Sequence, residues 1–100
     1  MKLYIAIKDS VPLGIAINSV AHASLIAHLK FSEHEAYKSW LASSFKKVVG
    51  KVNEKEFAKL KQLDNTVVIT ESALEGAEVG VVVCPREVVP NVLKFMHLYK

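Results

Sequence analysis

The chain has 100 residues, of which 51% are hydrophobic and 23% charged, a composition that is typical of one globular domain and excludes a disordered chain. A formal net charge of +3 is too small to indicate a nucleic-acid-binding protein by itself. The single cysteine, Cys84, excludes an internal disulfide, and the short apolar run that Asp9 closes does not fit a signal peptide, so we expect one cytoplasmic domain, 1–100.

The first two predicted elements are a strand and a long helix. The segment Lys2 to Lys8 alternates apolar with polar or small residues, as strands do. Asp9 and Ser10 end this strand and are residue types that cap helices, while Pro12 suits a first helical turn. The helix then runs from Leu13 to Phe31.

This helix has apolar side chains on almost every face, which predicts that it is the buried hub of the core. It is barely long enough to cross a bilayer, and its polar residues are costly in lipid, so we expect no membrane span. Those polar residues are Asn18, Ser19, His22, Ser24 and His28. The apolar residues that we expect to be sheltered are Ile15, Ile17, Val20, Leu25, Ile26 and Leu29.

A short helix and a second strand are predicted next. Ser32, followed three residues later by Glu35, is a capping-box pattern that opens a helix running to about Leu41. The segment Phe45 to Val52 is rich in residues that favour strands. Gly50 within it predicts a bulge or a close approach by another backbone.

The second capping-box pattern starts the next helix. Asn53 and Glu56 form this pattern, and the apolar spacing predicts a helix that ends near Asp64 and Asn65.

Two strands and a closing helix complete the chain. The strands are Thr66 to Ser72 and Glu78 to Cys84, and the five residues between them are too few for a crossover, so the strands are antiparallel if they pair directly. Gly76 in this link can adopt a positive φ. A helix is expected over Pro85 to Tyr99, with Pro90 in or near its first turn.

The order β-α-α-β-α-β-β-α defines the expected fold. Strands joined by helical crossovers are parallel, which gives three parallel strands and a reversed fourth. The predicted fold is therefore α/β: a three-layer sandwich with a four-stranded mixed sheet, of which three strands are parallel and one is antiparallel, and with helices on both faces.

The carboxyl ends of the parallel strands are where ligands usually bind in such folds. Asn18, Ser19 and His22 occupy about one third of the helix circumference near that edge. The predicted ligand-binding residues there are Asp9, Ser10, Asn18, Ser19, Glu71 and Ser72.

His22 is the candidate catalytic residue. A neutral imidazole titrates near physiological pH and can act as a general base or bind an acyl or phosphate oxygen. The alternative is a core histidine hydrogen-bonded to Asn18 or to a backbone carbonyl. Glu71 has two alternatives, an ion pair with Lys8 or a solvated charge at the strand end.

No metal or cofactor is expected. The four histidines lie on different elements or faces and lack a metal-ligand spacing. Cys84 falls at the opposite end of the sheet from His22, which predicts a small core residue and not a nucleophile.

The segments PLGIAINSVAHASLIA, WLASSFKKVVGK and HLYK, together with the element order, resemble the archaeal and eukaryotic type of peptidyl-tRNA hydrolase. They are more similar still to a bacterial family of unknown function that shares that fold. Gly14 and His22 match a glycine and a histidine of the enzyme's first helix. The match around the second strand covers Trp40, Lys47, Val48, Val49 and Lys51.

Three polar groups of the enzyme family are missing. Ile15 stands where the family has a lysine important for activity, and Ser19 stands where it has a glutamine. The family ends its third strand with an aspartate, whereas this chain has Ser72, Ala73 and Leu74, with Glu71 one place earlier. Only His22 transfers residue for residue, so the resemblance implies the fold more strongly than the activity.

Two functions are therefore open. One is a hydrolase-like pocket at Asp9, Asn18, His22 and Glu71 that accepts an ester, an acyl-amino group or an RNA-like or other small ligand. The other is a non-catalytic homo-oligomeric interaction module. A homodimer is expected because the first helix is apolar on more faces than one sheet can cover, as the dimeric enzyme family also implies. Against this, the Glu33 to Leu41 helix could fold back over that surface.

Overall fold

The computed structural model describes residues 1–100 as four strands and four helices, in the predicted order. They are β1 (Leu3–Lys8), α1 (Leu13–Phe31), α2 (Glu35–Ala42), β2 (Lys47–Val52), α3 (Glu54–Leu60), β3 (Thr66–Glu71), β4 (Ala77–Val83) and α4 (Asn91–Lys94).

The sheet has the strand order β2-β1-β4-β3. Only β1 and β2 form a parallel pair, and β4 is antiparallel to both β1 and β3. The prediction of three parallel strands and one antiparallel strand is therefore wrong. The five-residue link 72–76 returns the chain directly alongside β3, and β4 then occupies the place next to β1 that a parallel third strand would have taken. The direct antiparallel pairing of β3 with β4 is confirmed.

Helices cover both faces of the sheet. The side chains of β1 point alternately to the two faces and so contribute to a core on each side. Leu3, Ile5 and Ile7 pack in the cluster that contains residues of α1 and α2. Tyr4 and Ala6 pack in the cluster formed with α3 and α4. The sheet therefore has one core layer on each side.

Helix α1 packs on the sheet through small side chains. Its buried residues are Ala16, Ser19, Ala23, Ala27 and Phe31. Ile15, Val20 and Ile26 are partly buried against the core, whereas the other large aliphatic side chains of α1 project away from the sheet. The expectation that Ile17, Leu25 and Leu29 are sheltered is wrong, since each is mostly exposed. No helix in the structure combines the length and the apolarity that a bilayer crossing requires.

Of the two predicted capping boxes, one forms. Asn53 Oδ1 accepts a hydrogen bond from the Glu56 amide at 2.8 Å, and Glu56 Oε1 accepts one from the Asn53 amide at 2.9 Å. The box at Ser32 does not form, because Ser32 closes α1 and α2 begins after His34 without a side-chain cap.

The closing helix is much shorter than predicted. Only Asn91–Lys94 is helical, and the chain beyond it runs along the free edge of β2. The Lys51 amide donates to the carbonyl of His97, and the Tyr99 amide donates to that of Val49, both at 2.9 Å. The predicted close approach at Gly50 is confirmed, because Leu98 pairs with it.

Candidate functional site

Three of the predicted site residues meet where α1 passes the end of β3. Asn18 and His22 lie one turn apart on α1, and Glu71 is the last residue of β3. Asn18 Nδ2 donates to Glu71 Oε2 at 3.3 Å and lies 3.2 Å from His22 Nε2. His22 Nε2 is 3.7 Å from Glu71 Oε2. We call these three residues the Glu71 cluster.

Glu71 is the buried member of this cluster. Its side chain is 4% exposed, and its Oε1 accepts a hydrogen bond from the Ala73 amide at 3.3 Å. Glu71 lies two residues after the buried Ile69, so its side chain points to the same side of the sheet, which α1 covers. Two hydrogen bonds therefore fix the carboxylate beneath α1.

Neither of the two predicted environments of the Glu71 carboxylate is correct. The ion pair with Lys8 does not form, because Lys8 Nζ binds Glu54 Oε1 at 2.7 Å. The alternative of a solvated charge is wrong because the side chain is buried.

His22 lies at the surface. Its side chain is 49% exposed, and none of the five surface cavities is lined by a residue of the Glu71 cluster. When Nε2 accepts the Asn18 hydrogen bond, the proton of the neutral ring is on Nδ1. When the ring is protonated, Nε2 can donate towards Glu71. The cluster therefore orients an imidazole, but no cleft holds a substrate against it.

The other predicted site residues are not part of this cluster. Ser19 is fully buried, and its hydroxyl donates to the Ile15 carbonyl at 2.8 Å. Asp9, Ser10 and Ser72 are exposed. Neither Asp9 nor Ser10 caps α1, because Pro12 is the N-cap residue and no side chain bonds to that helix end.

Asp9 lies instead on a separate polar cavity of about 280 Å³. This cavity is formed mainly by the end of β2, the start of α3 and the C-terminal segment. Its lining residues are Asp9, Lys51, Asn53, Glu56, His97, Leu98 and Lys100. The predicted site is thus divided between two places on the molecule.

Cys84 makes no contact that would support nucleophilic chemistry. It is buried, and burial raises the pKa of its thiol more than the nearby Arg86 lowers it. The structure also groups no three His, Cys, Asp or Glu side chains that could hold a metal ion.

The surface of α1 exposes several large apolar side chains. Four large side chains on it are between 62% and 70% exposed. With the exposed Ala21 they follow one another every four residues, and we call this set the α1 ridge: Leu13, Ile17, Ala21, Leu25 and Leu29. The one Lys, Arg, Asp or Glu on α1 is Lys30.

An apolar cavity of about 230 Å³ adjoins this ridge. Its six lining residues are all hydrophobic: Leu13, Ala16, Ile17, Val20, Val49 and Tyr99. Two ridge residues therefore also form a wall of the cavity.

Sequence reasoning missed the ridge, although a signal for it was present. Ala16, Ala23 and Ala27 lie within about 40° of one another on one face of the helix, and Leu25 lies on the opposite face. A face of small residues allows close packing on a sheet, which identifies the opposite face as the exposed one.

Comparison with models of known protein families and with curated proteins finds no match for this chain. The resemblance to peptidyl-tRNA hydrolase therefore stays a prediction that rests on the residues quoted above.

Proposed function

We propose that this chain is a cytoplasmic, non-catalytic interaction module that forms a homodimer through the α1 ridge. The observation that carries the proposal is the row of four large apolar side chains, each about two-thirds exposed, on a single helix. Monomeric proteins rarely expose a contiguous apolar patch of this kind. Burying a whole leucine or isoleucine side chain contributes about 1.5–3 kcal/mol, so the ridge is a strong driving force for association.

The sequence of the ridge favours a second copy of the chain as the partner. The ridge reads Leu, Ile, Ala, Leu, Leu and is symmetric in side-chain size about Ala21. An antiparallel pair with its twofold axis at Ala21 brings Ile17 of one protomer opposite Leu25 of its partner, because these two residues lie only about 40° to either side of Ala21 around the helix. Leu13 and Leu29 lie about 80° to either side of Ala21 and flank this contact. The small side chain of Ala21 allows the two helices to approach closely at the centre.

The charge distribution supports the same partner. A charged surface docked on the ridge would lose its hydration without gaining an ion pair, because α1 offers no charge before Lys30. A second ridge carries no such charges. The two apolar faces therefore match each other in chemistry as well as in size.

Light scattering of the purified chain tests the dimer. We expect a mass near twice 11.1 kDa for the parent chain at micromolar concentration. Leu25→Glu should give a mass near 11.1 kDa with an unchanged circular dichroism spectrum, because residue 25 is exposed in the protomer. Val88→Glu is the matched control, since Val88 is 85% exposed but lies outside α1. A parent chain that stays monomeric, or a Leu25→Glu variant that stays dimeric, would contradict the proposal.

A second candidate function is a ligand-binding or hydrolytic site at the Glu71 cluster. It is favoured by the buried Glu71 carboxylate, which with Asn18 orients a half-exposed imidazole. A general base needs this kind of fixed orientation. The candidate is weaker than the dimer, because no cavity at His22 excludes water or holds a substrate.

A further inference from the structure

A continuous cleft lies at the other end of the sheet from the Glu71 cluster, around the first residues of β1. It consists of two cavities of about 580 and 450 Å³. The two share four lining residues, which are Lys2, Tyr4, Glu87 and Val89. Each cavity falls within the size range of about 300–1,000 Å³ that is typical of small-molecule sites.

Six of the nine residues that line the smaller cavity are hydrophobic, and we call these six its apolar floor. Its hydrophobic lining residues come from β1, β2, α4 and the segments on either side of α4: Tyr4, Val48, Val89, Leu93, Met96 and Leu98. Such a floor can take an alkyl chain or a ring but cannot recognise charge.

Two polar groups at this cleft have no hydrogen-bond partner in the chain. Tyr4 is only 8% exposed, and its hydroxyl makes no hydrogen bond. Arg86 Nε is buried without a partner, although the two terminal nitrogens of the guanidinium bind Asp64. The Tyr4 hydroxyl is not itself a buried atom, since Arg86 Nε is the one buried side-chain atom without a partner, so the hydroxyl is free to donate a hydrogen bond to a ligand in the cleft.

The charges at the rim define the sign of that ligand. Lys2 and Lys94 line the smaller cavity and form no ion pair, and Glu87 is the one acid beside them. Two cations and one anion leave one net positive charge. Arg86 adds little to this balance, because Asp64 neutralises it.

We propose that this cleft binds a small apolar monocarboxylate. The carboxylate accepts a hydrogen bond from the Tyr4 hydroxyl and lies between Lys2 and Lys94, and the apolar body rests on Val89 and Leu93. The site is separate from the α1 ridge, so it can be occupied in a monomer or in a dimer.

A nitrogen-15 NMR titration of the chain with octanoate tests this site. Amide shifts should change around Tyr4, Val89 and Leu93, and should stay constant around the apolar cavity at Val20 and Tyr99. The uncharged 1-octanol has the same chain length and should bind about tenfold more weakly, since it lacks the charge that strengthens the hydrogen bond. Equal binding of octanol and octanoate, shifts centred on α1, or no shifts with octanoate would each overturn the proposal.

Paired variants separate the two kinds of contact. Tyr4→Phe keeps the ring and removes the unpartnered hydroxyl, so the fold should be retained while octanoate binding weakens about tenfold. Tyr99→Phe is the matched control and should bind octanoate as the parent chain does. Lys94→Gln should also weaken binding, whereas Lys59→Gln, an exposed position on α3, should not. Unchanged binding by both Tyr4→Phe and Lys94→Gln would refute the proposed recognition.

Discussion

Glu71 illustrates how far single residues can be predicted from this sequence. Its type and its place at the end of a strand marked it as a site residue, and the structure does bring it to Asn18 and His22. Its burial follows from its position two residues after Ile69 on a strand with alternating faces. Ser19 was predicted to share one sector of the helix with Asn18, but the two residues are about 100° apart around the helix axis, and Ser19 faces the core. A third of a helix circumference is thus too wide a sector to define a site.

The buried thiol of Cys84 predicts how the free energy of unfolding changes with pH. Burial raises its thiol pKa, and burial likewise raises the pKa of the Tyr37 hydroxyl, with a smaller contribution from Cys84. Below the ordinary thiol pKa of 9.0, the thiol is protonated in both the folded and the unfolded chain. Above that pH the unfolded chain loses the proton first, so the stability contributed by the protonated thiol is lost as the pH rises through the folded value.

Urea unfolding between pH 7 and pH 10.5 measures this effect. The free energy of unfolding of the parent chain should fall more steeply with rising pH than that of Cys84→Ala, which has no thiol. Tyr37 is intact in both proteins, so the part of its pKa shift that burial causes cancels in the difference, and the smaller part that Cys84 causes disappears with the thiol and acts in the same direction. Parallel pH profiles would mean that the folded thiol titrates like an unfolded one.

Helix boundaries depend on what precedes them, as the two capping-box patterns show. The four-residue pattern is the same at Ser32 and at Asn53, but only Asn53 has the extended backbone that an N-cap residue requires, with φ −84° and ψ 175°. Ser32 has φ −58° and ψ −23°, because α1 continues up to it. A local motif therefore predicted the start of α3 correctly and failed where a long helix overrode it.

Alanine substitutions at these two positions should have different effects. Asn53→Ala removes the acceptor for the Glu56 amide and should lower the free energy of unfolding by about 1 kcal/mol. Ser32→Ala removes a side chain that caps nothing and should change it by less than about 0.5 kcal/mol. Chemical denaturation of both variants measures the contrast. Equal losses would indicate that the hydrogen bonds of the box contribute nothing specific.

At the scale of the whole molecule, the sequence-based prediction of the sheet topology failed. The strand segments, their order and the tight β3–β4 link follow from local patterns, and the structure contains all of them. Strand neighbours are decided by long-range pairing, which local patterns do not encode. The C-terminal segment shows the same limit: Pro90 was placed correctly near a helix start, but the helix ends at Lys94, and Leu98 instead pairs with Gly50 of β2.

The last prediction concerns activity of the whole molecule. We expect no hydrolysis of peptidyl-tRNA, despite the resemblance to the enzyme family. The half-buried Ile15 supplies no cation to stabilise a phosphate or a developing oxyanion, and Ser19 is turned into the core. His22 is oriented by Asn18 and Glu71, but it lies outside every cavity of the surface.

Release of an N-acetylated amino acid from its tRNA ester measures this activity, with a member of the enzyme family as the positive control. The parent chain and its His22→Ala variant should both match the rate without protein. Turnover comparable to the positive control that disappears in His22→Ala would instead establish the Glu71 cluster as a catalytic site.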